Sequence, residues 1–232
     1  MAVSIDTVYQ KVLAFANKEQ RGYITPQEFN LYANQAQMEI FEQYFYDLNQ
    51  ASRTIGNDTV HADIDDMLEE KLSIFERTEN IYSAFPDQLG GGFVIPDNIY
   101  RISKVFNSTR DYEILSTKDW NDSRTGAPLI APNANRPIAN ISNSNLKTFP
   151  TGGPRSVVFF VKPATVDWTY LLIGYKAMYA PNSSTTHFEL HPSEETELVY
   201  KILKFAGISM KRDDIIKAGQ VLGTAQVQQE KQ

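Results

Sequence analysis

Between Pro26 and about Leu48 the chain carries apolar residues on helical spacing, and it carries them on more than one side. Phe29, Ala33, Ala36, Ile40 and Tyr44 form one stripe, which Phe41, Phe45 and Leu48 widen. The segment "IFEQYFYDL" is aromatic on nearly every side. A helix with a single apolar stripe needs one neighbour, but a helix apolar all round must be covered on several sides. This feature predicts a helical core and, on a further side, contact with another subunit. Phe41, Phe45 and Tyr46 are candidate interface residues, with Phe45 and Tyr46 expected to face away from the main stripe.

The start of this helix could be mistaken for half of a calcium loop. In "NKEQRGYITPQEFNLY", placing Gly22 at the sixth loop position puts Glu28 at the twelfth. The first, third and fifth positions, which need oxygen donors, would then be Asn17, Glu19 and Arg21. A neutral amide and a fixed cation do not replace the water shell of a hard divalent ion. The same residues make a good helix start instead. Thr25 is the N-cap, Pro26 the first helical residue, and Glu28 closes a capping box. Calcium is not expected to bind.

The rest of the chain falls into regions of different period, and an α+β fold is predicted. The first region, residues 1–72, is helical. Behind Ser4 or Asp6 as cap, Ile5, Val8, Tyr9, Val12 and Phe15 follow helical spacing. A polar run after residue 48 reads as loop, with a short helix over 66–75. The second region, residues 73–190, is a central antiparallel β-region. Gly, Pro, Asn and Ser punctuate "GGFVIP", "YRISKVFN", "DYEIL", "RPIANIS", "SVVFFVKP" and "TYLLIGYKAMY", each read as a strand. "STKDWNDS" reads as a short helix capped by Ser116. Residues 121–154 read as a long loop, too polar to bury a core of its own. In the third region, residues 191–232, Ser193 caps a helix with Glu194, Glu195 and Glu197 in its first turn. Leu198, Val199, Ile202, Leu203 and Ala206 form its buried stripe, and Gly207 is expected to stop it. A second helix follows over 212–222, then a loose polar tail. The terminal helices are expected to pack together as a bundle.

Composition narrows the functions. With 232 residues, 42% of them hydrophobic, the chain can bury a substantial core as one large domain or two small ones. The absence of cysteine removes disulfides, thiolate zinc sites and cysteine nucleophiles. A formal net charge of -6 argues against clamping nucleic acid by phosphate neutralisation. "MAVSIDTVYQ" has no basic stretch followed by an apolar run, so no secretory signal is expected. The longest apolar run, "YLLIGY", is too short to cross a bilayer. A soluble protein without a membrane partner is expected.

No motif for catalysis emerges, and no catalytic residue, metal or cofactor is assigned. His187 and His191 in "HFELHP" could hold zinc only on a helix, and Pro192 argues for an extended segment. In an extended chain, residues four apart lie roughly 13 Å from one another. Gly90–Gly92 lead into a β-like run rather than a helix, so they do not read as a phosphate cradle. No G-x-S-x-G is present. "DIDDMLEE" reads as a solvated helix face rather than a carboxylate dyad. Trp120 and Trp168 sit in "KDWND" and "VDWTY", where they read as core or interface anchors.

The order of these segments resembles a family of structural proteins. "YITPQEFNLYANQAQMEIFEQYFYDLN" is similar to the opening helix of structural proteins of tailed phages, including crAss-like and marine podovirus-type phages. "FVIPDNIYRISKV" resembles their proline-bounded β-run. "VVFFVKPATVDWTYLLIGYKAMYAP" and "HFELHPSEETELVYKILKFAGI" resemble their closing strands and terminal helix. The resemblance extends from Tyr23 to roughly Ile208. It implies a head–tail connector, ring or adaptor protein of the virion neck, stacked as a dodecameric ring beneath the portal. It also implies a helical bundle combined with a β-region and docking segments, and it brings no catalytic residues.

The expected partners are further copies of the chain in a ring of about twelve, the portal protein, and neighbouring ring or tail proteins. Genomic DNA would pass through the lumen without specific binding, which a negative net charge suits. The alternative reading is a carbohydrate- or host-binding β-module of a tail appendage, suggested by the tryptophans and Asn-rich loops.

Overall fold

Thr25 and Glu28 close the expected capping box. The backbone N–H and hydroxyl of Thr25 donate to Glu28 Oε2 at 3.0 and 2.7 Å, and Glu28 N–H donates to Thr25 Oγ1 at 3.3 Å. From there α2 runs over Pro26–Ala51. In this computed structural model the described residues are 3–16, 24–51, 59–84, 87–88, 92–125, 131–151, 155–174, 176–209, 217 and 219–225. Residues 17–23, where the calcium reading would place most of its ligands, lie outside them. So do Gly90 and Gly91. The fold is α+β, and the chain divides into two units, Met1–Ile74 with Pro163–Gln232, and Phe75–Lys162.

In the first unit α1 (Ile5–Ala16) and α2 pack against α6 (Glu195–Ser209), and α3 (Thr59–Ser73) packs against α2. Most of the stripes read from the sequence form the core, with Val8 and Val12 of α1, Phe29, Ala36 and Ile40 of α2, and Ile202 and Ala206 of α6 buried. Phe15, read as part of the α1 stripe, is exposed. Helix α3 starts earlier than the predicted 66–75, and Leu68 and Leu72 on its buried side hold its last turns. A 3-10 turn over Pro192–Glu194 leads into α6, with His191 as its cap, and α6 continues past Gly207. A glycine inside a helix is tolerated when tertiary packing covers it, and Gly207 is buried. Residues 219–225 are helical, and a β-carbon on Gly219 would lie 3.1 Å from the Tyr200 carbonyl oxygen. The predicted helix start at 212–216 and the tail beyond 225 lie outside the described residues.

The second compact unit ends at residue 162, and the rest of the region read as 73–190, including its last strands, joins the helical unit. Residues 163–190 belong to the helical unit because α2 binds them directly. Asn30, Asn34 and Gln37 share one face of α2, and their amides reach the backbone of Trp168, Val166 and Ala164 respectively. The alternate residues of an extended segment repeat every ~6.6 Å, and the helix steps between Asn30, Asn34 and Gln37, i,i+4 and then i,i+3, rise ~6 and ~4.5 Å. The first step nearly matches the strand repeat, and the longer Gln37 side chain spans the second, so the helix acts as a β-partner. The segment then forms a hairpin, β9 (Tyr170–Ile173) and β10 (Lys176–Tyr179), where the sequence reads as a single strand. Gly174 at φ +56 supplies the left-handed turn that the continuous apolar run conceals.

The second unit holds two sheets. The three-stranded sheet is antiparallel, in the order β1 (Glu76–Asn80), β8 (Ser156–Val161), β4 (Ile99–Phe106). The five-stranded sheet has the order β2 (Asp87–Gln88), β3 (Gly92–Val94), β7 (Asn145–Phe149), β6 (Ile138–Ser142), β5 (Glu113–Leu115). Its β5–β6 pair is parallel, an exception to the antiparallel pattern expected. A one-turn α4 (Ile81–Ala84) and α5 (Thr117–Thr125) complete the unit. Ile102, Val105, Ala139, Leu146, Val157 and Phe159 belong to one apolar core.

The expectation that residues 121–154 form a coreless loop is corrected. Within them β6 and β7 make a hairpin that buries Ile138, Ala139 and Leu146. The turn uses Asn143 at φ 50 and Ser144 at φ 57, the two left-handed residues a tight hairpin needs. Serine rather than glycine at the second position hid the hairpin from a reading of the sequence.

Candidate interface surfaces

Four of the five candidate interface residues are consumed by the chain's own packing. Phe41 is fully buried and meets Phe45 edge-on at 5.1 Å between ring centroids. Phe45 is 6% exposed, which corrects the expectation that it faces outward. At i+4 from Phe41 it shares that residue's side of α2 and is drawn into the same apolar contact. Tyr46 is 67% exposed and is the member of the set that presents a surface.

The tryptophans are both buried, each in its own unit. Trp168 stacks on Tyr170 and Tyr179 at 5.7 and 5.9 Å, meets Tyr9 at 4.0 Å, and donates Nε1–H to Asp6 Oδ1 at 3.0 Å. It anchors the segment 164–168 beneath α1. Trp120 of α5 is buried with Arg124 5.7 Å above its ring, a cation–π contact. Neither indole is open to a sugar, a base or a second subunit.

His187 and His191 serve separate local ends. Ile5 N–H donates to His187 Nδ1 at 3.3 Å, and the adjacent Phe188 pairs with Val3 as an isolated antiparallel bridge. His191 Nδ1 accepts from Ser193 N–H at the 3-10 turn. Glu189, between them, accepts from Ala164 N–H at 2.8 Å. Glu28 has its pKa held below the usual carboxylate value, chiefly by the Thr25 hydroxyl and then by the Thr25 N–H. Its carboxylate is committed to the cap.

Two ion-holding arrangements were not legible in the sequence. Lys71 of α3 reaches Glu194 at 2.6 Å, with both side chains buried. In the second unit Arg155 is buried with no carboxylate paired to it among the described residues. Its guanidinium donates to Thr148 Oγ1, Tyr82 Oη and the Thr151 carbonyl, and lies 5.3 Å from the ring centres of both Tyr82 and Phe93. Hydroxyls, a carbonyl and ring faces replace the counter-ion. A polar recess of about 600 Å³ lies around residues 107–111 and 135–137. Around it Arg136 pairs with Glu113 at 3.1 Å and Lys104 with Asp111 at 2.9 Å. Asn107 Oδ1 is held by the N–H groups of Thr109 and Arg110.

Apolar surface open to a partner is present in both units. Leu171, Leu172 and Ile173 of β9 are 62, 71 and 60% exposed, and Met178 of β10 is exposed as well. Successive strand residues point to opposite faces, so both faces of this hairpin are open. In the second unit a groove of about 490 Å³ is built from β4, β5 and β6, with Ile95, Ile99, Ile102, Ile114 and Ile141 in its lining. The hairpin was missed because its residues read as a single strand. Among the described residues no helix is long and apolar enough to cross a membrane. No protein-family model matches the chain, and no curated protein matches it in sequence.

Proposed function

We propose that this chain is a structural subunit of a tailed-phage virion that assembles into a ring, expected to be dodecameric, in the neck or tail. The ring would join the portal to the tail and surround the DNA channel. The observation that carries this reading is the uncovered apolar surface. Leu171, Leu172 and Ile173 lie together on one hairpin, and Tyr46 stands open on α2. Contiguous apolar surface of this kind marks interaction sites in soluble proteins. The formal net charge of -6 suits a channel wall that lets phosphate slide past. The resemblance of the helical and closing-strand segments supplies the phage context. The alternative, a sugar- or host-binding module, loses its main support because Trp120 and Trp168 are buried.

Native mass spectrometry and electron microscopy of the purified chain, alone and with its portal, test this reading. Closed rings of about twelve copies are expected. A stable trimer, or a monomer that never enters rings on the portal, would overturn it.

A further inference from the structure

Strand β1 forms one edge of its sheet, and we infer that it pairs antiparallel with the β1 of a second copy about a two-fold axis at Thr78. The inference goes beyond the ring reading and does not rest on it. All five residues of β1 are exposed, and among the described residues β8 is the strand that pairs with it.

The ladder shows which backbone groups face the open edge. Val161 N–H donates to the Phe75 carbonyl at 3.0 Å, and Ile81 N–H donates to the Arg155 carbonyl at 2.9 Å. In an antiparallel pair the bonds to one neighbour come from alternate residues. Arg77 and Glu79 therefore bond toward β8, while the N–H and C=O groups of Glu76, Thr78 and Asn80 point outward. The Glu76 carbonyl accepts from Arg77 Nη1 at 3.0 Å, so a side chain stands where a strand could bond.

The order Glu-Arg-Thr-Glu-Asn complements itself when reversed about Thr78. In that register Thr78 faces the partner's Thr78 and Glu76 faces the partner's Asn80, as hydrogen-bonded pairs made by the outward groups. Arg77 then faces the partner's Glu79 at a non-hydrogen-bonded position, where opposite side chains come closest. Opposite charges and threonine pairs across strands stabilise a ladder, and like charges weaken it. Slipping the pair by two residues puts Arg77 opposite the partner's Arg77, or Glu79 opposite the partner's Glu79. A slip by one sets outward groups against residues already bonded to β8.

Charge thus selects both the register and the occupant. Arg77 and Glu79 stand in register with Phe159 and Val157, on the face that carries the core. Charges there turn away an unrelated apolar strand, whereas a second β1 brings their complement. The contact joins two three-stranded sheets into one. It is isologous and closes at two copies, so a ring would use a different surface. Five residues a side are few against the roughly 20–30 of a stable interface, so the pairing is weak in solution and is best read by cross-linking.

The test uses the full chain, which has no cysteine of its own. Arg77→Cys mixed with Glu79→Cys in a glutathione redox buffer should give a disulfide-linked heterodimer in excess over either homodimer, since only the mixture brings two thiols opposite each other. With Thr78→Cys as reporter and a short bismaleimide, the chain should link to itself. Adding Arg77→Glu or Glu79→Arg should lower that linking about tenfold or more. Mixing these two charge variants, or combining both reversals in one chain, should restore it. Circular dichroism and thermal melting check that each variant folds. Homodimers as abundant as the heterodimer, charge variants that link as well as the reporter, or a mixture that fails to restore linking would overturn the inference. Absence of linking throughout would overturn the pairing and leave the ring reading standing. Chains that link as pairs but never close into rings on the portal would support the pairing and remove the ring.

Discussion

Asn34 and Val166 exchange a pair of hydrogen bonds. The Asn34 amide donates to the Val166 carbonyl at 3.0 Å, and its Oδ1 accepts from the Val166 N–H at 2.8 Å. A side chain of α2 thus plays the part of a neighbouring strand. Asn30 meets Trp168 in the same way one helical step away, with the Trp168 N–H donating at 2.9 Å. Backbone groups of an extended segment beside a helix would otherwise be stranded away from water.

Replacing Asn34 with leucine should destabilise the fold by about 2–3 kcal/mol, since both groups of Val166 lose their partners. Leu31→Ser, at an exposed position of the same helix, should stay within about 0.5 kcal/mol of wild type. Urea unfolding of the two variants checks this. Equal stability would mean that water replaces the amide without penalty.

The Thr25 cap should be sensitive to acid. Glu28 has its pKa lowered in the folded chain, so its contribution to stability is present above the unfolded carboxylate pKa. It is lost as pH falls through the lower folded value. At neutral pH Thr25→Ala should destabilise by about 1 kcal/mol. The gap between variant and wild type should narrow as the pH falls below that of an ordinary carboxylate. Thermal melts across acid pH would show this, and a gap that widens would contradict it.

Lys71 and Glu194 are a buried pair, so breaking and removing it should differ sharply. Lys71→Met or Glu194→Leu alone should cost about 3–5 kcal/mol, because one charge or its partner is left stranded. Lys71→Met combined with Glu194→Leu should recover most of that loss. A double-mutant cycle by chemical unfolding reads the coupling directly. Additive losses would show that the pair is not coupled.

Phe45 and Tyr46, adjacent on α2, should part company. Phe45→Ser should destabilise by about 3–5 kcal/mol through cavity formation and burial of a hydroxyl. Tyr46→Ser should leave stability within about 0.5 kcal/mol and reduce assembly. Melting temperature and native mass, measured on both, separate core from surface. Loss of stability in Tyr46→Ser would place that ring in the core.

The helices α1, α2 and α6 and the Thr25 cap were readable from residue order because their causes are local, whereas the start of α3, the Ser193 cap and the Gly207 stop expected for α6 were not met. Thr25 and Glu28 lie one turn apart, and the stripes of α1, α2 and α6 repeat every three to four residues whatever else the chain does. The strand runs at 99–106, 113–115 and 156–161 were readable for a similar reason, since β-branched and aromatic residues favour a pleated surface. Which face of α2 is left open was not readable. Phe45 and Tyr46 are adjacent aromatics with like preferences, and only the position of Phe41's neighbours sends one inward and the other out. Likewise Asn30, Asn34 and Gln37 look like an ordinary polar face until residues 164–168 arrive from more than a hundred positions away. Burial, the pairing of Lys71 with Glu194 and the exposure of Leu171–Ile173 depend on contacts between distant segments. Such contacts leave no period in the sequence, because the free energy that selects them comes from desolvation in the assembled fold rather than from neighbouring residues along the chain.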